Sequence, residues 1–591
     1  MAKVLPYPYP LSLSKNSLMS KKITHYEQPD DILNVQEIAN NRLRDWREAQ
    51  PDNFFTADRD FQRKLELYFG EQGYRKIMPR LYKFGKVVAS QIDPLARRTN
   101  EDDQLPVASG DDELVRYTDA YHEIGRLIYG SGMMGLLGEK GNHRLALSLF
   151  YLSAQNGEAG HNCPLTGTAG VIKTLQNVAP EGLQEKYLPL LLDANYETNF
   201  IGAQYFTEVQ GGSDVGANAV QATPEDTGSD VWYLNGQKWF CSNITADVAL
   251  VTARDNTAEG TAGLGLFLVP RRLADGSNNG IELEKLKYKL GTRSLATAEA
   301  TFKDSVAYRV GNFKDGLDHL INTSRVFNAF GCIGNARRAL TIAWTYAKHR
   351  FAFGVPLMHY PIIQAQLAHI RIDVAAMLAG SMRITKVMDD VELGRATDDD
   401  RKFLRMAIHL NKFRTAILAH EDINTAIEIL GGNGTIEDFS VLPRLLRDNV
   451  VYENWEGSHN VLLAQILRDM HRYQHHVPFL NMIRTLLRAA RLPELKQEGQ
   501  HQLDRISDEI NEVLAMDQLT AGIYMRPLMC RLTDLYYTAC LAAESGWEIS
   551  KKEDKSKQRI AILFLNRRVN RRDPGDVAYY DDQVSRISSE I

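Results

Sequence analysis

A mainly helical protein with a central β-domain is the fold class predicted for this chain of 591 residues. Three features predict it. Apolar residues recur at intervals of three and four before residue 202, short turn-bounded runs fill 203–312, and long runs of helical period return from 313. A chain of this length forms several domains with cores of their own. The expected divisions are an N-terminal extension at 1–55, a helical domain at 56–202, a middle β-domain at 203–312, a four-helix bundle at 313–470 and an additional helical domain at 471–591.

The extension is polar and punctuated by proline, with one helix expected in "DILNVQEIANNRLRDWREAQ". In the first helical domain, "RDFQRKLELYFGEQGYRKIMPRLYKFGKVVASQI" and "LVRYTDAYHEIGRLIYG" carry apolar faces suited to packing against neighbouring helices. The strands of the β-domain are "NAVQATPE", "VWYLNGQKWF", "DVALVTARD", "GLGLFLVPR", "GIELEKL" and "TAEATFKD", and "LNGQ" reads as a hairpin turn. No helix of crossover length interrupts them, so an antiparallel sheet or small barrel is expected and a doubly wound sheet is excluded. The runs "LINTSRVFNAFGCIGNARRALTIAWTYAKHR", "YPIIQAQLAHIRIDVAAMLAGSMRITKVMDD" and "DRKFLRMAIHLNKFRTAILAHEDINTAIEIL" suit an up-and-down bundle.

A net charge of −5 with 24% charged residues does not call for nucleic acid. Residues 471–591 hold 18 Lys and Arg against 17 Asp and Glu. Only "RRVNRR" there is locally basic; it is either a solvated surface run or a phosphate contact. Five scattered cysteines without CxxC spacing suggest neither a disulfide framework nor a thiolate zinc site, and a reducing, cytoplasmic setting fits. The N-terminus lacks the apolar core of a secretory signal, the end "SSEI" is no evident address signal, and no run of about 18 uncharged apolar residues suggests a membrane span.

Five segments carry chemistry. The turn "FTEVQGGSDVG" (206–216) exposes backbone N–H groups beside the hydroxyls of Thr207 and Ser213, fit for a polar ring edge or an anion, or simply a tight turn. In "NGQKWFCSN" (235–243), Trp239 and Phe240 point to opposite faces of a strand, one free for a flat ligand and the other joining the core. "HRFAFG" (349–354) ends a helix, with Arg350 either reaching phosphate or supporting the helix end while Phe353 packs. "EILGGNGTIEDF" (428–439) has more glycine than a C-cap needs. Finally, "RDNVVYENWEGSHN" (447–460) places Glu456 after an apolar run, where a dry setting raises a carboxyl toward a useful base.

Together with "LGTRSLATAEATF" and "SRVFNAFGCIGNARRAL", these segments follow one another in an order that resembles the acyl-CoA dehydrogenase family over roughly residues 100 to 465. The resemblance implies FAD and an acyl-CoA substrate, with Glu456 as the base that takes the α-proton while hydride leaves the β-carbon. Arg325 would stand behind that base. Thr207, Phe206, Phe240 and Ser242 would line the isoalloxazine, Ser213 and Gly457 the substrate side. Arg350 and Phe353, with Gly431, Gly432 and Gly434, would hold the dinucleotide across a subunit boundary, which implies a homo-oligomer: a dimer or a dimer of dimers. An electron-transfer flavoprotein or oxygen is the implied acceptor. Some family members place the base before the arginine; here that residue is Ser324, so Glu456 has no rival.

The departures "WEGS", "KWFCS", Pro361 and Glu428, with "HNCPLTGTAG" (161–170) and the C-terminal helical piece, resemble the subfamily around the bacterial adaptive-response protein AidB. Two functions follow as expectations: dehydrogenation of a medium- or long-chain acyl-CoA, or a flavoprotein of little turnover that binds DNA or acyl chains in a stress response.

Overall fold

The computed structural model describes residues 32–552, 554–570 and 577–589. The N-terminal signal reading, the last two residues of the end sequence, and Arg571 and Arg572 of the basic run lie outside them. Helix α1 (Ile32–Glu48) occupies the segment read as helical in the extension. Helix α2 (Arg59–Val87) is N-capped by Asp58, whose carboxylate accepts from the Phe61 N–H, and is kinked at Gly70, where φ is 70°. Helix α3 (Ala159–Val178) is buried along most of its length.

The middle region forms seven strands: β1 (Gly202–Tyr205), β2 (Gln221–Pro224), β3 (Val231–Ser242), β4 (Val248–Arg254), β5 (Leu264–Pro270), β6 (Ile281–Leu286) and β7 (Thr297–Arg309). Pairings β4–β2, β2–β3, β3–β7, β7–β5 and β5–β4 close a ring, so this is a barrel, with β1 added on β4 and β6 on β7. Its core holds Tyr205, Leu234, Val251, Phe267 and Phe302. The barrel is not wholly antiparallel: β1–β4 and β2–β4 run parallel. The intervening strands make the crossover, so no helix is needed.

The hairpin expected at "LNGQ" is absent. Asn235 and Gly236 lie inside the continuous strand β3, where the pairing with β7 shifts register. Gly236 has φ 135°, and the Asn235 amide donates to Asp304 on β7 at 2.8 Å. The dipeptide makes a bulge, not a turn, because a neighbouring strand satisfies its polar groups.

Three long helices follow, α4 (Phe313–His349), α5 (Pro361–Glu392) and α6 (Asp398–Leu430). Thr397 and Asp400 form a capping box at the start of α6. The fourth position of the bundle is taken by two shorter helices, α7 (Leu442–Asn454) and α8 (His459–Tyr473), broken at Trp455–Ser458. One helix among the described residues, α5, is long and apolar enough to cross a membrane by length and composition, though charged residues such as Arg371 and Asp373 interrupt it and most of its apolar window is buried among its neighbours.

The C-terminal helices share the bundle's core. Within it Phe403 of α6 stacks on Phe479 at 5.6 Å, and α9 (Gln518–Lys552) adds Tyr536 to the same aromatic group. Arg414 of α6 donates to both oxygens of Asp534 at 2.7 and 2.8 Å, both residues being buried. The basic run is neither solvated nor open to phosphate at its first two arginines. Arg567 donates to Asp373 at 2.6 Å, and Arg568 pairs with Asp373 and Glu421.

Candidate active site

Helix α7 stops at Asn454, just ahead of Glu456. Trp455 leaves helical geometry with ψ 152°, packing edge-on against Tyr452 at 5.1 Å. Glu456 then takes φ 54° and Gly457 φ 96°. A left-handed conformation is unfavourable for a side chain such as glutamate, so the surroundings must hold it. Two buried cations do so. Arg325 of α4 donates through Nε to the Glu456 carbonyl at 2.9 Å, and Lys412 of α6 donates to the carbonyls of Glu453 and Gly457 at 2.8 Å each. A second Arg325 nitrogen donates to Gln465 at 2.9 Å.

The reversal brings the Glu456 side chain to the barrel, where the Gln204 amide of β1 donates to its carboxylate. Burial raises the Glu456 carboxyl above its ordinary value, against the lowering influence of Ser324, Arg325, Gln204 and Lys412. The result is a carboxyl poised to accept a proton. Arg325 itself is pushed down by burial to about 10, and Lys412 to about 8.

The sequence reading did not single out Gln204 or Lys412. Lys412 interrupts an apolar helical face, which was the available signal. Gln204 had none, since it and the base are 252 residues apart in sequence.

Of the other singled-out residues, Phe206 packs against the helical core and Thr207 accepts the Trp239 N–H through its carbonyl at 2.8 Å. Ser213 is exposed on the following bend. The alternation expected at Trp239 and Phe240 fails: neither enters the core, Phe240 is 49% exposed, and Lys238 and Cys241 are the buried neighbours. The pairing of β3 with β7 shifts register between Lys238 and Cys241, which re-aims both rings outward, and Lys287 lies over the Trp239 ring at 3.4 Å. Ser242 exchanges a hydrogen bond with Thr297 at 3.0 Å.

A second group of residues lies at the far end of α4. Arg350 ends that helix and starts a two-residue ribbon, Phe351–Ala352 paired with Val355–Pro356. Phe353 at its tip does not pack as expected; it has φ 51° and is 85% exposed. The glycine turn follows α6. A side chain at Gly431 or Gly432 would meet open space, whereas one at Gly434 would lie 2.4 Å from the Ile427 carbonyl oxygen. Asn433 ties this turn to α4 by donating to the Tyr346 hydroxyl at 3.1 Å.

A closed barrel between helical layers, with a buried carboxylate brought to its edge by a broken bundle helix, defines a class of fold that the comparisons identify. Residues 317–471 match the acyl-CoA dehydrogenase C-terminal domain, 203–305 its middle domain, and 47–198 the adaptive response protein AidB N-terminal domain. "Acyl-CoA dehydrogenase family member 11" of Caenorhabditis elegans is 30% identical over 440 residues, covering 70% of each chain. "Putative acyl-CoA dehydrogenase AidB" of Escherichia coli is 32% identical over 374 residues, 61% of this chain and 66% of that protein. The solved structure of Caenorhabditis elegans ACDH-11 in complex with C11-CoA has a TM-score of 0.80 at 24% identity, covering 87% of this chain and 92% of that one. The chain belongs to the acyl-CoA dehydrogenase family, whose members bind FAD.

Proposed function

We propose that this protein removes the α- and β-hydrogens of an acyl-CoA thioester, with Glu456 taking the α-proton on its carboxylate. The observation that carries the reading is the Glu456 turn itself: a proton acceptor raised by burial, held in an unfavourable backbone conformation and aimed at the barrel. FAD, when bound, supplies the acceptor for the hydride that leaves the β-carbon. The residues present suit it. Aromatic faces at Phe240 and Phe353 are left in solvent, the Gly431–Gly432 backbone is open to close approach, and the Arg350 side chain makes no ion pair among the described residues. Thr207, Ser242 and Phe206 line the barrel side of such a site, and Ser213 and Gly457 its substrate side.

Helix length supports a shared site. Arg325 at the base and Arg350 at the ribbon are about 25 residues apart along one unbroken helix, roughly 37 Å. Such a separation supports the arrangement that the family resemblance implies, in which the ribbon and glycine turn of one copy serve the flavin facing another copy's Glu456, in a dimer or dimer of dimers. A medium-length acyl chain is favoured by the relative solved with C11-CoA. An electron-transfer flavoprotein or oxygen takes the electrons onward. The DNA-binding alternative is disfavoured by the internal pairing of Arg567 and Arg568.

The test is anaerobic titration of the flavin-loaded protein with acyl-CoAs of increasing length. Bleaching of the flavin absorbance is expected, and Glu456→Gln should abolish it without releasing FAD. A flavin that stays oxidised through the whole series refutes the proposal.

A further inference from the structure

All but the last two residues of helix α1 lie ahead of the segments matched to the family, which begin at residue 47. It nevertheless packs against the ribbon assigned above to the dinucleotide and against the segment that follows the glycine turn. Trp46 stacks on Phe439 at 5.1 Å with planes 16° apart, just beyond the glycine turn, and donates through Nε1 to Thr345 of α4 at 3.1 Å. One turn earlier on the helix, the Arg42 guanidinium lies 3.6 Å from the centre of the Phe351 ring on the ribbon. Between them is a cleft of about 340 Å³, at the small end for a ligand site.

Its walls are Val35, Ile38 and Leu43 from α1 and Phe351 and Phe353 from the ribbon, with Arg42 and Arg350 as its charged groups. Among the described residues, no carboxylate lines it and neither guanidinium makes an ion pair. Two uncompensated guanidiniums beside an aliphatic and aromatic slot are complementary to a diphosphate joined to a flat purine.

We propose that α1 forms a third wall of the FAD adenosine-diphosphate site, with Arg42 binding the diphosphate alongside Arg350. The inference rests on the FAD reading above and adds to it a residue outside the family segments. Stacking on Phe351 fixes the guanidinium plane, which leaves its N–H edge free for phosphate oxygens.

The experiment removes FAD from the purified full-length protein and measures FAD affinity by flavin fluorescence for wild type, Arg42→Gln, Arg42→Lys and Arg44→Gln. Loss of one charge-assisted contact predicts a Kd at least tenfold weaker for Arg42→Gln. Arg42→Lys, which keeps the charge, should recover part of this. Arg44→Gln should match wild type, because Arg44 is exposed and bonds to Asn41 on its own helix. Melting temperatures of the flavin-free variants report folding separately, and Arg42→Lys carries the test if Arg42→Gln melts early. Equal FAD affinity in wild type and Arg42→Gln overturns the inference while leaving the FAD reading intact. A wild type that takes up no FAD overturns the reading beneath it.

Discussion

Replacing Lys412 with methionine separates what this buried cation does for stability from what it does for the base. The ammonium is fully buried and burial lowers it from 10.5 to about 8. At 1.36 kcal/mol per pH unit, carrying its charge into the fold costs about 3 kcal/mol at neutral pH. Against this stand two hydrogen bonds to the Glu453 and Gly457 carbonyls, of about 1 to 3 kcal/mol each. The two nearly cancel, and methionine fills similar space, so Lys412→Met should change stability at pH 7 by no more than about 2 kcal/mol.

The turn that carries Glu456 nevertheless loses its clamp, so acyl-CoA turnover should fall at least tenfold with FAD retained. The pH dependence gives a second, signed readout. A lysine lowered in the fold penalises the folded state fully below pH 8, and that penalty fades between 8 and 10.5 as the folded ammonium deprotonates. Wild type should therefore gain melting temperature relative to Lys412→Met across that window. A variant that melts far below wild type at pH 7, with a difference that stays constant to pH 10.5, would refute the reasoning and make the charge a net stabiliser.

Three other outcomes are expected. Gln204→Leu removes a donor that lowers Glu456, so the acid limb of the pH–rate profile should move to higher pH, and an unmoved limb would disconnect Gln204 from the base. Gly434→Ala places a methyl 2.4 Å from the Ile427 carbonyl oxygen and should lower the melting temperature of the flavin-free protein, whereas Gly432→Ala meets open space and should fold normally; equal melting of the two would remove the packing argument. Arg414→Met strands the Asp534 carboxylate in the interior at about 3–5 kcal/mol, and the double variant Arg414→Met/Asp534→Leu should recover most of it in urea unfolding. A double variant no better than the single would contradict that account.

How far sequence reaches depends on the range over which an interaction acts. Local rules found α1, the long helices of the bundle and six of the seven strands of the middle domain, because periodicity acts within a few residues. They misread "LNGQ", where the answer lay in Asp304, and Trp239–Phe240, where a register shift against β7 cancelled simple alternation. The basic run was misread for the same reason: the carboxylates that consume Arg567 and Arg568 are 147 to 195 residues distant in sequence, on other helices.

The sequence by itself determined the helix–barrel–helix order and marked Glu456, through glycines, aromatics and hydrophobic periods that are written locally. Only the tertiary structure decided how that carboxylate is held. The left-handed turn is sustained by Arg325 and Lys412 reaching in from two other helices, and the carboxylate meets Gln204 of the barrel, contacts between residues 41 to 252 positions apart that no local pattern encodes.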